Sequence, residues 1–307
     1  MLNDTSISNR FGAIDIGSNA VRLLISSVYQ EDDVPFFKKL EYVRVPLRLG
    51  EDVFETGTIS PGSAKKLTQL IEAYKTLMRL FQVEAYAACA TSAMRNSGNG
   101  PEVAKHIAQK TGINIMLIEG EQEAELISSA LMPYLPQGFC LHIDVGGGST
   151  ELNLYNNGDK LAQESFLLGS VRNKNQEADP EVWHQVQSWL STQIPHKAKV
   201  LALGTGGNIN KLYSLSGKRT PQRLGMPTLV ETRNQVSAMS MNERLRILRL
   251  NPDRADVIIP AADIYIRIMQ WAKCSSVIVP NVGLKEGLIL QLYREFLNNT
   301  APHLSRE

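Results

Sequence analysis

The runs Phe11-Gly-Ala-Ile-Asp-Ile-Gly-Ser-Asn19 and His142-Ile-Asp-Val-Gly-Gly-Gly-Ser-Thr-Glu151 decide how this chain is read. Each is an apolar stretch ending in Asp-x-Gly, followed at once by small hydroxyl or amide residues and a second strand-like run. One aspartate–glycine turn is common. Two in the same surroundings, one in each half of the chain, indicate a duplicated domain with a phosphate site between the copies.

Outward from the first run, the pattern predicts strands at 11–16 and 21–29 and an extended segment at 36–47. Ser60-Pro61 is a helix start, and Leu67, Leu70, Ile71, Tyr74, Leu77, Met78 and Phe81 follow at helical spacing. A strand at 85–90, a helix at 101–110 closed by Gly112, a strand at 113–118 and a helix at 121–132 complete the first half. The second half repeats the order. Strands at 139–145 and 151–155 lead through an Asn157-Gly158 hairpin turn to a strand at 161–167. A helix at 179–193, a strand at 199–203, further helices, a strand at 276–279 and a helix at 284–297 follow. The expected fold is α/β, with two copies of a mixed sheet: hairpins on one side, parallel strands fed by helical crossovers on the other. The domains read as 1–125 and 126–307, the last helix packing back on the first.

A chain of 307 residues suits two domains, and its 43% hydrophobic and 21% charged content is that of a soluble globular protein. With 32 basic and 31 acidic residues, nothing points to a nucleic-acid or membrane-surface partner. Cys89, Cys140 and Cys274 lie far apart in apolar contexts, so they read as buried free thiols in a reducing compartment. The N-terminus has no basic region followed by an apolar core, and no apolar run approaches the ~18 residues of a membrane span. A cytoplasmic location is expected.

Gly17-Ser18-Asn19 and Gly146-Gly147-Gly148-Ser149 each follow a strand, and Gly204-Thr-Gly206-Gly207-Asn208 follows another and opens a helix. Glycine permits a positive φ and a close approach of backbone to ligand, so successive N–H groups can cradle an anion. The third loop adds the positive end of a helix. None of the three matches a Walker A or Rossmann pattern. Asp15 and Asp144 would repel a phosphate unless a cation bridged them. Magnesium fits, with Glu151 holding the metal or one of its waters. The alternative is that these acids cap turns through side-chain hydrogen bonds.

In Gly120-Glu-Gln-Glu-Ala-Glu-Leu-Ile-Ser-Ser-Ala-Leu131, the residues Leu126, Ile127, Ala130 and Leu131 form one apolar stripe at about 100° per residue. Glu123 falls in the middle of it, whereas Glu121 and Glu125 project elsewhere and suit the helix dipole. An acid on the core-facing stripe is a candidate general base, because partial burial makes a carboxylate more basic. The alternative is a structural buried acid.

With these residues assembled, the chain resembles the exopolyphosphatase / guanosine pentaphosphate phosphatase family within the actin-like superfamily, a ribonuclease H-like fold. The resemblance runs through Asp15-Ile-Gly-Ser-Asn19, Ala90-Thr-Ser-Ala-Met-Arg95, Gly120-Glu-Gln-Glu-Ala124 and Asp144-Val-Gly-Gly-Gly-Ser-Thr-Glu151. It continues in Leu168-Gly-Ser-Val-Arg172, Gly204-Thr-Gly-Gly207, Arg254-Ala-Asp-Val257 and Gly283-Leu-Lys-Glu-Gly287. It implies two actin-like domains around a cleft and magnesium-dependent removal of a terminal phosphoryl group from polyphosphate or guanosine pentaphosphate. By the same resemblance Glu123 is the general base, and Asp144 and Glu151 are the magnesium and water-positioning acids. Gly17–Asn19 and Gly146–Ser149 form the phosphate cradle, with Gly206 and Gly207 in the third loop. Arg95 and Arg22 become phosphate contacts, as the planar guanidinium fork suits phosphate oxygens. A symmetric homodimer is the default assembly for such enzymes.

Four positions depart from the family pattern. Gln122 stands where a second glutamate is frequent, Ala20 where a hydroxyl is, Pro280-Asn281 where Ser-Asp is usual, and Lys285 where arginine is. No His-Asp dipeptide occurs, so the extra helical domain of longer members is not expected and short chains are the expected preference. Two further readings stay open: an ATP-dependent kinase of the same superfamily, and a non-catalytic polyphosphate or alarmone sensor.

Overall fold

The computed structural model describes residues 9–31, 34–174, 178–217 and 223–298. By packing, the chain divides into two units, Met1–Ala130 with Leu284–Glu307, and Leu131–Gly283. The division falls five residues beyond the 125/126 boundary read from sequence, and the C-terminal helix groups with the first unit.

The first unit contains β1 (Asn9–Ile16), β2 (Val21–Glu31), β3 (Val34–Val45), α1 (Leu49–Thr56) and α2 (Pro61–Leu80). There follow β4 (Ala85–Ala90), α3 (Ser92–Arg95), α4 (Gly100–Thr111), β5 (Met116–Leu117) and α5 (Gly120–Leu131). The second contains β6 (Phe139–Val145), β7 (Thr150–Asn156), β8 (Asp159–Phe166), α6 (Pro180–Gln193), β9 (Val200–Thr205) and α7 (Gly207–Leu215). It continues with β10 (Arg223–Gly225), α8 (Met226–Ala238), α9 (Met241–Arg246), α10 (Pro252–Ala255), α11 (Ile258–Trp271) and β11 (Ser276–Ile278). Finally α12 (Leu284–Leu297) packs on β1, β2 and β4 of the first unit.

The duplication is visible in the strand orders, β3-β2-β1-β4-β5 in one sheet and β10-β11-β9-β6-β7-β8 in the other. In both, three hairpin-linked antiparallel strands lead to parallel strands added on the far side of the first. The second sheet adds β10, antiparallel to β11.

Local chemistry accounts for the elements. Ser60 caps α2 by accepting the Ser63 amide at 3.2 Å, and Pro61 sits in the first turn. Leu67, Ile71, Tyr74 and Met78, one stripe of that helix, are buried against the sheet. Asn157 and Gly158 both take positive φ, 52° and 92°, the combination a two-residue hairpin turn requires. Asp179 caps α6 through the Glu181 amide at 2.9 Å.

Two expectations change. The apolar run 113–118 forms only the two-residue strand β5, because its register with β4 pairs Met116 with Cys89 and Leu117 with Ala90 and then ends in a bond from the Ile118 amide to the Ala90 carbonyl. Ile113 and Ile115 are buried as core residues without ladder bonds. Among the glycines of the three loops, only Gly206 has a positive φ, 107°. The other loops turn without the left-handed region. Among the described residues, no helix is long and apolar enough to cross a membrane.

Cys89, Cys140 and Cys274 are free and buried, and burial pushes each thiol up to about 12. Native protein at pH 8 should therefore give no rapid colour with a disulfide exchange reagent, whereas unfolding should release three thiols. A fast-reacting thiol in the native state would contradict the packing.

Candidate active site

In the first unit, the β1–β2 turn closes by a bond from the Gly17 amide to the Ala20 carbonyl at 3.1 Å. Its register places Asp15 opposite Arg22, and Arg22 Nη1 holds Asp15 Oδ2 at 2.7 Å. Arg22 is thus the cation beside Asp15. The Gly17 amide is likewise used inside the turn. Ser18 is buried, and the Ser18 and Asn19 carbonyls accept the amides of Gly50 and Arg48 at 2.8 and 3.1 Å.

The second unit repeats this turn, with the Gly146 amide bonded to the Ser149 carbonyl at 2.9 Å. Here the aspartate faces an acid instead: Asp144 on β6 lies directly opposite Glu151 on β7. Like charges directly opposed on one sheet face destabilise it. Glu151 is nearly buried, and its Oε1 accepts hydrogen bonds from Ser149 Oγ at 2.6 Å and Ser165 Oγ at 3.1 Å. An acid pair with its supporting hydrogen bonds built on one side suits a hard divalent cation, which magnesium sites hold with one or two carboxylates. In the first unit the same position is matched by arginine instead. The amides of Gly147, Gly148 and Ser149 carry no hydrogen bond to the described residues.

The third loop joins this group. A Cβ on Gly206 would lie 3.2 Å from Asp144 Oδ1, so the carboxylate rests against the N-terminus of α7. Beneath it the Tyr265 hydroxyl lies between the carbonyls of Ile143 and Thr205 and accepts the Val145 amide at 3.4 Å. Burial first, and the Asp144 charge second, hold this phenol well above its ordinary range, so it stays a donor. His142 adds a second tie, with Nε2 2.9 Å from Thr205 Oγ1 and Nδ1 3.1 Å from Asn153 Nδ2. Burial lowers this imidazole to about 3, so it is neutral.

Glu123 has a side chain 15% exposed, while Glu121 and Glu125 lie in solvent, as the helical stripe required. Arg95, delivered by α3, places Nη1 3.8 Å from Glu123 Oε2 and donates it to the Ile118 carbonyl at 2.8 Å. Its Nε stands 3.8 Å from Glu119 Oε2. Glu123 and Asp15 also share a neighbour, since both charges act on the buried Cys89 thiol. Gln122 serves the start of its own helix, where its Oε1 accepts the Glu119 amide at 3.0 Å and caps α5. Among the other departures, Ala20 is fully buried and Lys285 pairs with Glu286 at 3.0 Å. Asn281 accepts Asn210 Nδ2 at 2.8 Å.

Each unit therefore assembles its own share. The first holds Glu123 with Arg95, and Asp15 with Arg22. The second holds Asp144, Glu151, Ser149, three amides of the glycine run and the start of α7. Sequence reasoning gave no role to Gly169–Arg172, Tyr265 or His142. The first was visible only as the Leu168-Gly-Ser-Val-Arg172 motif, and the others as isolated polar residues in apolar surroundings.

Residues 27–296 match the Ppx/GppA phosphatase family. Exopolyphosphatase 1 of Mycobacterium tuberculosis is 25% identical over 317 aligned positions, covering 95% of this chain and 90% of that protein. The crystal structure of the Aquifex aeolicus member of the Ppx/GppA family is 26% identical, with 96% of this chain and 99% of that one covered and a TM-score of 0.74. An exopolyphosphatase from Cytophaga hutchinsonii, 23% identical with coverage of 95% and 99%, gives a TM-score of 0.78 and shares the fold.

Proposed function

The chain belongs to the Ppx/GppA phosphatase family, and with its duplicated α/β fold as premise we propose that it is a magnesium-dependent exopolyphosphatase. The observation that carries this reading is the row of Gly147, Gly148 and Ser149 amides beside the opposed acids Asp144 and Glu151. Amides in a row bind phosphoryl oxygens, and the acid pair is fit to hold the cation that accompanies them. Magnesium bound there would neutralise charge on the phosphoryl oxygens.

Glu123 takes a proton from water as the water oxygen attacks the terminal phosphorus. The bridging P–O bond breaks, and orthophosphate leaves with a chain one unit shorter. Arg95, beside Glu123, is the phosphate-binding cation of the first unit. Arg22, paired with Asp15, is a further phosphate contact of the first unit on this reading, and in the second unit Gly206 and Gly207 add the positive end of α7 to the phosphate loop. Little covalent chemistry is asked of the protein, so positioning and charge stabilisation supply most of the rate.

The test is phosphate release from short polyphosphate, long polyphosphate and guanosine pentaphosphate, each with magnesium and with chelator. Release from polyphosphate that needs magnesium is expected. Release only from guanosine pentaphosphate would keep the mechanism and change the substrate. Tight binding without release under any metal or pH would make the protein a sensor, and ATP consumption strictly dependent on an acceptor would make it a kinase.

A further inference from the structure

The segment after β8 takes up every carbonyl of the glycine run. Ser170 reaches the Gly146 carbonyl twice, through its amide at 3.0 Å and its Oγ at 3.1 Å. The amides of Val171 and Arg172 reach the Gly147 carbonyl at 2.8 and 2.9 Å. Arg172 Nε donates to the Gly148 carbonyl at 2.7 Å. The segment approaches so closely that a Cβ on Gly169 would overlap the Gly147 carbonyl.

In a trans peptide the C=O of one residue and the N–H of the next point in opposite directions. Anchoring the carbonyls of Gly146, Gly147 and Gly148 on one side therefore turns the amides of Gly147, Gly148 and Ser149 to the other. Those are the three amides without a partner among the described residues. The first unit has a thinner version, in which Gly50 and Arg48, just after β3, hold the carbonyls of Ser18 and Asn19. Both segments follow the third strand of their hairpin series.

We propose that Gly169–Arg172 is a positioning element for the phosphate loop, and that Arg172 acts through its Nε bond, fixing the 148–149 peptide so that the Ser149 amide meets a phosphoryl oxygen. The proposal rests on the reading of Gly146–Ser149 as a phosphate site. Arg172 is on this account a positioning residue whose geometry matters, since a charge-assisted bond to a backbone carbonyl is among the stronger ones.

The test follows the amide signals of Gly147, Gly148 and Ser149 in the full-length protein during titration with inorganic phosphate and magnesium. It compares wild type with Arg172→Gln and Arg172→Lys. Wild type should show saturable shifts at all three amides. Both variants should need about tenfold more phosphate or higher, with Ser149 changed most, because lysine keeps the charge but has no Nε at that place. Should Arg172→Gln fail to fold, Arg172→Lys decides alone. Silent amides in wild type overturn both the phosphate-loop reading and the proposal. Wild-type shifts preserved at the same concentration in the variants overturn the proposal only, as does full recovery by lysine, which would make Arg172 a simple charge.

Discussion

Replacing Glu123 by glutamine is expected to lower phosphate release from polyphosphate by about 10²–10⁴-fold, the range a positioned general base contributes. Glutamine keeps the shape and removes the proton acceptor, so substrate binding should survive. The fold should also survive. The Arg95–Glu123 separation of 3.8 Å exceeds hydrogen-bond distance, and Arg95 retains the Ile118 carbonyl at 2.8 Å. A loss of about 1 kcal/mol would move the thermal midpoint by only about 2–4 °C, far too little to imitate the kinetic loss. Glu123→Asp adds a geometric control. It keeps the carboxylate but withdraws it by one methylene, and a shift of about 1 Å can cost about 10² in rate. Turnover near wild type in both variants would remove Glu123 from the chemistry.

The inward turn of Glu123 was legible because a helix converts spacing directly into direction. Strands bounded by abrupt changes of polarity were equally legible, and β4 and β6 begin and end where the apolar runs do. Helices α1, α3 and α10 were not, since four to eight residues carry too little periodicity to stand out. In the site, the residue types were readable but their partners were not. Asp15 and Asp144 sit in nearly the same sequence surroundings, yet one meets Arg22 and the other Glu151. That difference is set by hairpin register and by one residue on the second strand. Glycines gave the least away. Gly17 and Gly146 looked like ligand-binding residues, and their amides instead close the turns. Gly169 and Gly287 are required by what lies against them in space, which no local pattern records.

Gly287 carries the second large effect, because α12 lies directly on the backbone of α5. A Cβ at Gly287 would overlap the Leu126 carbonyl oxygen and stand 2.6 Å from its carbon. A backbone group inside a helix cannot swing aside as a side-chain tip can. Gly287→Ala must therefore push the two helices apart, at a cost of about 1–3 kcal/mol for overpacking. Leu126 lies one turn beyond Glu123, so the displaced stretch is the one that aims the base. Turnover should fall about 10²-fold for a shift of about 1 Å, even in molecules that remain folded. Gly62→Ala on α2 supplies the contrast, since its Cβ would meet nothing nearer than Ser60 Oγ at 3.9 Å. There the same substitution should be neutral or stabilise by up to about 1 kcal/mol, through helix propensity and a less flexible unfolded chain. Urea unfolding and turnover of the two variants should thus diverge in sign and in size. Wild-type stability and turnover in Gly287→Ala would show that α12 does not hold α5 in place. Loss of turnover with little loss of stability would show that this contact serves the aim of Glu123 more than the cohesion of the fold.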